Sequence, residues 1–338
     1  MEPETGNVPP AFVVVVGCSA GGLTALTELI SQLKQRMDAS IFIVMHLSRR
    51  GIGDFLIHRL QQYTSLPCEI AKHDAPIKKG HVYIAPPNHH LVIKPDRMIL
   101  GHGPEENRWR PSIDVLFRSA AVAFGNHAIG VIITGLLDDG TAGMVAIKKC
   151  GGICVVQDPN EAEYPEMPLS VLNQLEVDYC ISLAEMGFTL QELTKNGLPK
   201  KVEVPPELVK EAMIAEKTAT GIDQVNHLGE QTVYACPDCG GATWEIKRDG
   251  ITRYRCHIGH SYSENDLLLK QASGLESTLW LALRMMEDRK NLLMKLAKDT
   301  KKRGAVNIGM TQEEKSKELQ HHIDKLKEIL FSTQENSP

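Results

Sequence analysis

Three short stretches carry the side chains that base-assisted acyl transfer needs. In VVVVGCSAGG, Val13 to Gly22, four β-branched residues run into a small-residue turn centred on Ser19. In IFIVMHLS an apolar run ends in His46, and in VIITGLLDDGTAGM another is followed by Asp139. An imidazole can take the serine proton while a carboxylate orients the ring, so hydroxyl, imidazole and carboxylate together form a hydrolytic set. Taken singly, a histidine after a strand is ordinarily a satisfied polar residue, and an aspartate before glycine is ordinarily a turn former. Their coincidence at three strand ends favours chemistry, because open α/β sheets build their sites there.

Two other readings of the serine turn fit less well. A dinucleotide fingerprint needs a central glycine for close backbone approach and an acid at the end of the next strand. Here the register is Gly17-x-Ser19-x-x-Gly22, and the next strand ends in His46. Gly17-Cys18-Ser19-Ala20-Gly21 does match the nucleophile elbow of α/β-hydrolases, but that fold orders its triad serine, acid, histidine and places strands before the elbow. In this chain the order is Ser19, His46, Asp139, and the elbow follows the first strand.

A second constellation lies downstream. Cys236-x-x-Cys239 is followed after sixteen residues by Cys256-x-x-x-His260, with TWEIKRDGITRYRC between them as a hairpin turning at Asp249-Gly250. Two such pairs across a short hairpin complete a tetrahedron, so a structural zinc ribbon is expected. His260 is preferred over His257 as fourth ligand because it leaves a wider loop after Cys256. Zinc ribbons also bind nucleic acid, but a net charge of −5 makes a docking or regulatory module for a partner the better expectation.

These groups need elements to hold them. From Phe12 to about Leu193, short apolar runs alternate with helical patterns, which predicts a doubly wound, mostly parallel α/β sheet covered on both faces. HVYIAPPNHHLVIKPDRMIL interrupts the rhythm as a β-hairpin insertion turning at Lys94 to Arg97. The expected units are a catalytic domain at 8–195, a polar, proline-bearing linker at 196–228, the Cys/His module at 229–265 and an amphipathic helical tail at 266–338. In the tail, Leu275, Leu279, Leu283, Met286, Leu293 and Leu296 form one apolar stripe, and Thr311 with Glu314 matches a capping box opening a second helix. The stripes read as an antiparallel packing or dimerising pair, with His321 and His322 in solvent.

With 338 residues and 42% hydrophobic content, more than one unit is expected in an ordinary globular protein. There is no basic field for a nucleic-acid backbone, no apolar run of the roughly 18 residues a span needs, and no signal-peptide order at the N-terminus. A cytoplasmic protein is the expectation, with Cys18, Cys68, Cys150, Cys154 and Cys180 as buried reduced thiols.

Together GCSAGG, MHLS, APPNHHL, RPSIDVLFRSAA, ITGLLDDGTAGM and QDPNEAEYPEMP resemble the catalytic domain of the CheB-type protein-glutamate methylesterases, over roughly Phe12 to Leu193. The resemblance implies a Ser19, His46, Asp139 triad and an oxyanion hole built with the backbone at Leu136 and Ala20, where the family often has Met and Thr. It implies hydrolysis of glutamyl γ-methyl esters on chemoreceptor helices, with no cofactor in catalysis. Arg110, His89 and His90 are candidates for touching the substrate helix. The family commonly carries a receiver domain ahead of this one, and none fits before Phe12. The rival readings are a serine hydrolase or glutamine deamidase of the same fold in another pathway, and a non-catalytic receptor-binding scaffold.

Overall fold

The computed structural model describes residues 10–33, 37–46, 53–195, 202–216 and 225–334. Leu47 and Ser48 of the histidine motif and residues 1–9 lie outside that set, as do 196–201 and 217–224 of the expected linker. By compactness the chain divides into Met1–Asp266 and Leu267–Pro338.

The first unit is built on seven parallel strands: β1 (Phe12–Cys18), β2 (Ala39–Met45), β3 (Cys68–Ile70), β4 (Val82–Ile84), β7 (Ala128–Ile132), β8 (Ile153–Gln157) and β9 (Tyr179–Ile181). Their order is β3-β4-β2-β1-β7-β8-β9. The four valines of β1 explain its central place. Val14 and Val16 enter the core on one face of the sheet, and Val13 and Val15 enter the core on the other. A side chain of this kind is worth about 1.5–3 kcal/mol when fully buried, so a strand apolar on both faces belongs in the middle of a sheet covered on both sides. Helices α1 (Gly22–Gln32), α2 (Gly53–Gln61) and α6 (Leu183–Leu193) contribute to one core. Helices α3 (Ile113–Phe124), α4 (Thr141–Lys149) and α5 (Glu166–Gln174) contribute to the other.

The chain grows from β1 outward through β2 to β4 and β3, and then α3 brings it back to β7 on the opposite side of β1. β1 and β7 therefore flank the topological switch point, where strand ends open a crevice. β5 (His90–Ile93) and β6 (Met98–Gly101) form a two-stranded sheet of their own, as the hairpin insertion expected from sequence, closed by Lys94 N–H donating to Arg97 O at 2.9 Å.

One expectation is corrected, and the expected linker gains an element. The described part of the 196–228 linker is not a bare tether, since it contains α7 (Pro206–Glu216), whose Glu211 is 0% exposed and pairs with Arg253 at 2.6 Å and Arg118 at 3.3 Å. Composition made this helix look like a linker because its anchor is a buried charge rather than an apolar stripe. Of the five scattered cysteines, four are buried but Cys180 is exposed, because it sits on β9 at the edge of the sheet.

The Cys/His segment forms a separate four-stranded antiparallel sheet of β10 (Glu230–Ala235), β11 (Ala242–Arg248), β12 (Ile251–Cys256) and β13 (Ser261–Ser263). β11 and β12 turn at Asp249 and Gly250, with φ 55° and 77°, the left-handed pair a two-residue hairpin requires.

The long helix Glu264–Lys302 supplies the first part of the second unit from Leu267 on and runs antiparallel to Val306–Gln334, tied by Lys301–Glu313 at 2.6 Å and Lys327–Glu287 at 3.1 Å. Of the expected stripe Leu283 is buried, while Leu275 and Leu296 are exposed. The capping box is not used. The second helix starts at Val306, so Thr311 sits inside it and its hydroxyl donates to Asn307 O at 3.1 Å. Among the described residues, no helix is long and apolar enough to cross a membrane.

Candidate active site

The C-terminal ends of β1, β2 and β7 bring three motifs to one edge of the sheet. Ser19 follows β1, donates its amide to Thr134 O beyond β7 at 3.1 Å and accepts from Gly22 N–H at 2.9 Å. Gly21 makes this turn possible: its φ is 72°, and a Cβ there would meet Glu163 Oε2 at 2.8 Å. His46 follows β2 and donates its amide to Cys18 O at 3.1 Å, which fixes the histidine beside the serine turn. The turn after β7 comes equally close, since a Cβ on Gly135 would sit 3.0 Å from Ser19 Cβ.

His46 and Asp139 meet through Nε2 and Oδ2 at 2.9 Å, both buried. Asp139 lies over the N-terminus of α3. Oδ2 also accepts Ile113 N–H at 2.7 Å, while Oδ1 accepts Asp114 N–H at 3.1 Å, Ser112 Oγ–H at 3.0 Å and Asn107 Nδ2–H at 2.9 Å. Burial alone would raise this carboxyl, but the His46 hydrogen bond and charge, the Ile113 amide and Asn107 outweigh it and hold it below its ordinary value. An ionised carboxylate only accepts, so Nε2 carries a proton towards it, and in the neutral ring Nδ1 keeps the lone pair. Nδ1 is buried without a hydrogen-bond partner among the described residues. Ser19 and His46 share the strand ends but form no hydrogen bond with each other among the described residues.

Sequence reading missed three residues here. Trp109 stacks flat on the His46 ring, with centroids 4.2 Å apart and planes 7° from parallel. Asn107 bonds both Asp139 and Asp114. Asp114 in turn accepts the amides of Gly140 and Gly143, at 3.1 and 2.6 Å, and so ties the Asp139 turn to α3. Burial and then the Asp139 charge push its carboxyl up to about 7. The only local signal was polar residues close before a helix, which also describes ordinary capping.

Around Leu136, Gly135 N–H donates to Tyr164 O at 2.9 Å and Leu137 N–H to Glu166 Oε2 at 2.9 Å, so the turn is pinned on both sides of it. The Ala20 carbonyl accepts the Thr134 hydroxyl at 3.1 Å. Of the residues expected to touch the substrate helix, His90 is buried. It is 1% exposed, with Nε2 on Pro104 O at 2.8 Å and Nδ1 accepting Ser112 N–H at 3.3 Å, and burial lowers its pKa. It holds the loop before α3. Arg110 is spent on Asn88 Oδ1 at 2.6 Å and Gly103 O at 2.7 Å, while half-buried His89 packs on His102.

Residues 14–190 match the family model described as CheB methylesterase. The chain belongs to the CheB methylesterase family. It is 38% identical over 189 residues to a Leptospira interrogans protein assigned as a protein-glutamate methylesterase/protein-glutamine glutaminase, covering 56% of this chain and 97% of that one. It is 33% identical to the protein-glutamate methylesterase FrzG of Myxococcus xanthus, over 56% of this chain and 57% of FrzG. The crystal structure of the Thermotoga maritima CheB methylesterase catalytic domain superposes with a TM-score of 0.53 at 31% identity, over 55% of this chain and all of that domain.

The Cys/His cluster lies beyond the span matched to the CheB methylesterase family. The sulfurs of Cys236, Cys239 and Cys256 and a nitrogen of His260 all lie within 4.8 Å of one another and could hold a metal ion. Cys239 and Cys256 Sγ are 3.7 Å apart, and His260 Nδ1 lies 3.5 and 3.7 Å from Cys256 and Cys236 Sγ. A tetrahedron with zinc–sulfur bonds of about 2.3 Å and a zinc–nitrogen bond of about 2.0–2.1 Å has edges of about 3.8 and 3.5 Å. The donor set fits zinc.

Proposed function

We propose that this chain hydrolyses the γ-methyl ester of glutamate side chains on chemoreceptor helices, releasing methanol, with Ser19 as nucleophile, His46 as general base and Asp139 as its orienting acid. The observation that carries the reading is the buried His46–Asp139 pair, set at the strand end beside Ser19 in a chain of the CheB methylesterase family. Because Asp139 holds Nε2, the base is Nδ1, the reverse of the ring usage in trypsin-like proteases.

Nδ1 takes the serine proton as Oγ attacks the ester carbonyl. Asp139 stabilises the imidazolium, and the amides at Leu136 and Ala20 receive the oxyanion. The protonated ring then protonates the departing methoxide, leaving a glutamyl–serine ester, and water activated by the same nitrogen releases the carboxylate and free serine. The machinery suits a glutamine side-chain amide as well, with ammonia leaving in place of methanol, and the names of relatives include that activity. We assign zinc to the Cys/His cluster as a structural ion, and a cytoplasmic location follows from the substrate.

Methanol release from methylated receptor, compared between the wild type and Ser19→Ala, is the decisive measurement. Release by the wild type alone supports the reading. Equal release by both removes Ser19 from it.

A further inference from the structure

The Cys/His sheet comes close to the catalytic pair at the segment 105–107. Residues 105–107 run beside the start of β13: Asn107 N–H donates to Ser261 O at 2.8 Å, and Ser261 N–H to Glu105 O at 3.4 Å. The segment then turns back on itself. Glu106 and Trp109 exchange backbone hydrogen bonds at 3.2 and 3.0 Å, with Asn107 and Arg108 both in the left-handed region at φ 50° and 67°. Two successive non-glycine residues persist there only where the surroundings hold them. The holding group is Glu106, 3% exposed and clamped between Arg118 of α3 at 2.8 Å and Arg255 of β12 at 2.5 Å. Arg255 directly precedes Cys256, a member of the metal-competent cluster.

The other side of the same turn faces the catalytic pair. Asn107 bonds Asp139 and Trp109 covers the His46 ring. The Asp139 bond fixes one point of the imidazole but leaves its plane free to tilt. The stacked indole fixes the plane, and so the direction in which Nδ1 points. We propose that Asn107 and Trp109 are positioning residues for His46 and Asp139, and that the Cys/His module, through Arg255 and Ser261, is the brace that holds them in place. The module thereby joins the hydrolytic site rather than serving only as an appendage. The kinetic arm of the test rests on the esterase reading above, and the spectroscopic arm does not.

The test uses the full-length, metal-loaded protein. Trp109→Ala and Arg255→Leu are each expected to lower kcat about ten- to hundredfold, the scale of a misplaced catalytic group, with KM within about twofold. Trp109→Phe, which keeps a ring over the imidazole, is expected to restore most of kcat. The ring proton resonances of His46, assigned by their loss in His46→Ala, should carry a ring-current displacement that Trp109→Ala removes and Arg255→Leu diminishes while metal content stays unchanged. If Arg255→Leu fails to fold, Glu106→Gln breaks the same ion pair from its other side at equal size and carries the same expectations. A displacement unaltered in the folded Arg255→Leu or Glu106→Gln protein would overturn the brace, and an unchanged kcat in Trp109→Ala would overturn the positioning role. Wild-type protein that releases no methanol defeats the esterase reading alone, and the resonance arm still decides the brace.

Discussion

Asp114 and Asp139 share one side-chain amide: Asn107 Nδ2 donates to Asp114 Oδ2 at 2.8 Å and to Asp139 Oδ1 at 2.9 Å. The two carboxyls divide their protonation accordingly. Asp139 is held low, while burial and the Asp139 charge push Asp114 up to about 7. An unfolded aspartate titrates near about 3.9, so between about pH 4 and 7 the native state keeps a proton that the unfolded chain has lost. The stability due to Asp114 is therefore complete below about pH 4 and is lost as pH rises through about 7. Asp114→Asn cannot ionise, so the unfolding free energy of the wild type should fall relative to the variant between about pH 5 and about pH 8. Urea titrations across that range check it, and parallel curves would remove Asp114 as the titrating group.

A fluorophosphonate probe is expected to label Ser19, with no labelling in Ser19→Ala. Loss of a positioned base costs about 10²- to 10⁴-fold, so His46→Ala should slow labelling by that factor. Mass spectrometry of the labelled peptide with timed quenching gives both results. Equal rates with and without His46 would break the proposed dyad.

Purified protein should carry close to one zinc per chain, measurable by atomic emission. Cys236→Ser and Cys256→Ser, which remove buried members of the cluster, are expected to lose the ion and destabilise the four-stranded sheet. Folded, metal-free wild-type protein would contradict the zinc assignment.

Glu211 is paired with Arg118 and Arg253 inside the protein. Removing one partner strands the other charges, so Glu211→Ala should cost about 3–5 kcal/mol, whereas exposed pairs such as Lys79–Asp38 should cost under about 1 kcal/mol. The network also sets the acid limit. Burial raises the Glu106 carboxyl, but Arg118 and Arg255 bring it down to about 2, so its stabilisation is present above about pH 4.3 and is lost as pH falls through about 2. Acid denaturation monitored by circular dichroism should show that loss in the wild type and a smaller one in Glu106→Gln.

The sheet and the residue types gathered at its strand ends were legible because their signals are local. Four valines buried on both faces, a serine in a glycine turn, a histidine and an aspartate closing apolar runs, and two cysteine pairs across an Asp-Gly hairpin are each readable within a few residues. The surroundings of His90 were not legible for the same reason. A histidine beside a proline-bearing loop looks available to a ligand until tertiary contacts occupy both of its nitrogens.

Sequence by itself determined the parallel sheet, its hairpin insertion, the residue types at the strand ends and the candidate metal ligands, because periodicity and turn chemistry are encoded by neighbours. Only the tertiary structure decided which nitrogen of His46 meets Asp139, a contact between residues 93 apart in the chain. It also decided that Trp109 covers the ring, that Asn107 joins two carboxyls, and that Glu211 turns an apparent linker into a fixed helix. Those relations depend on burial, which brings distant polar groups together where each must find a partner.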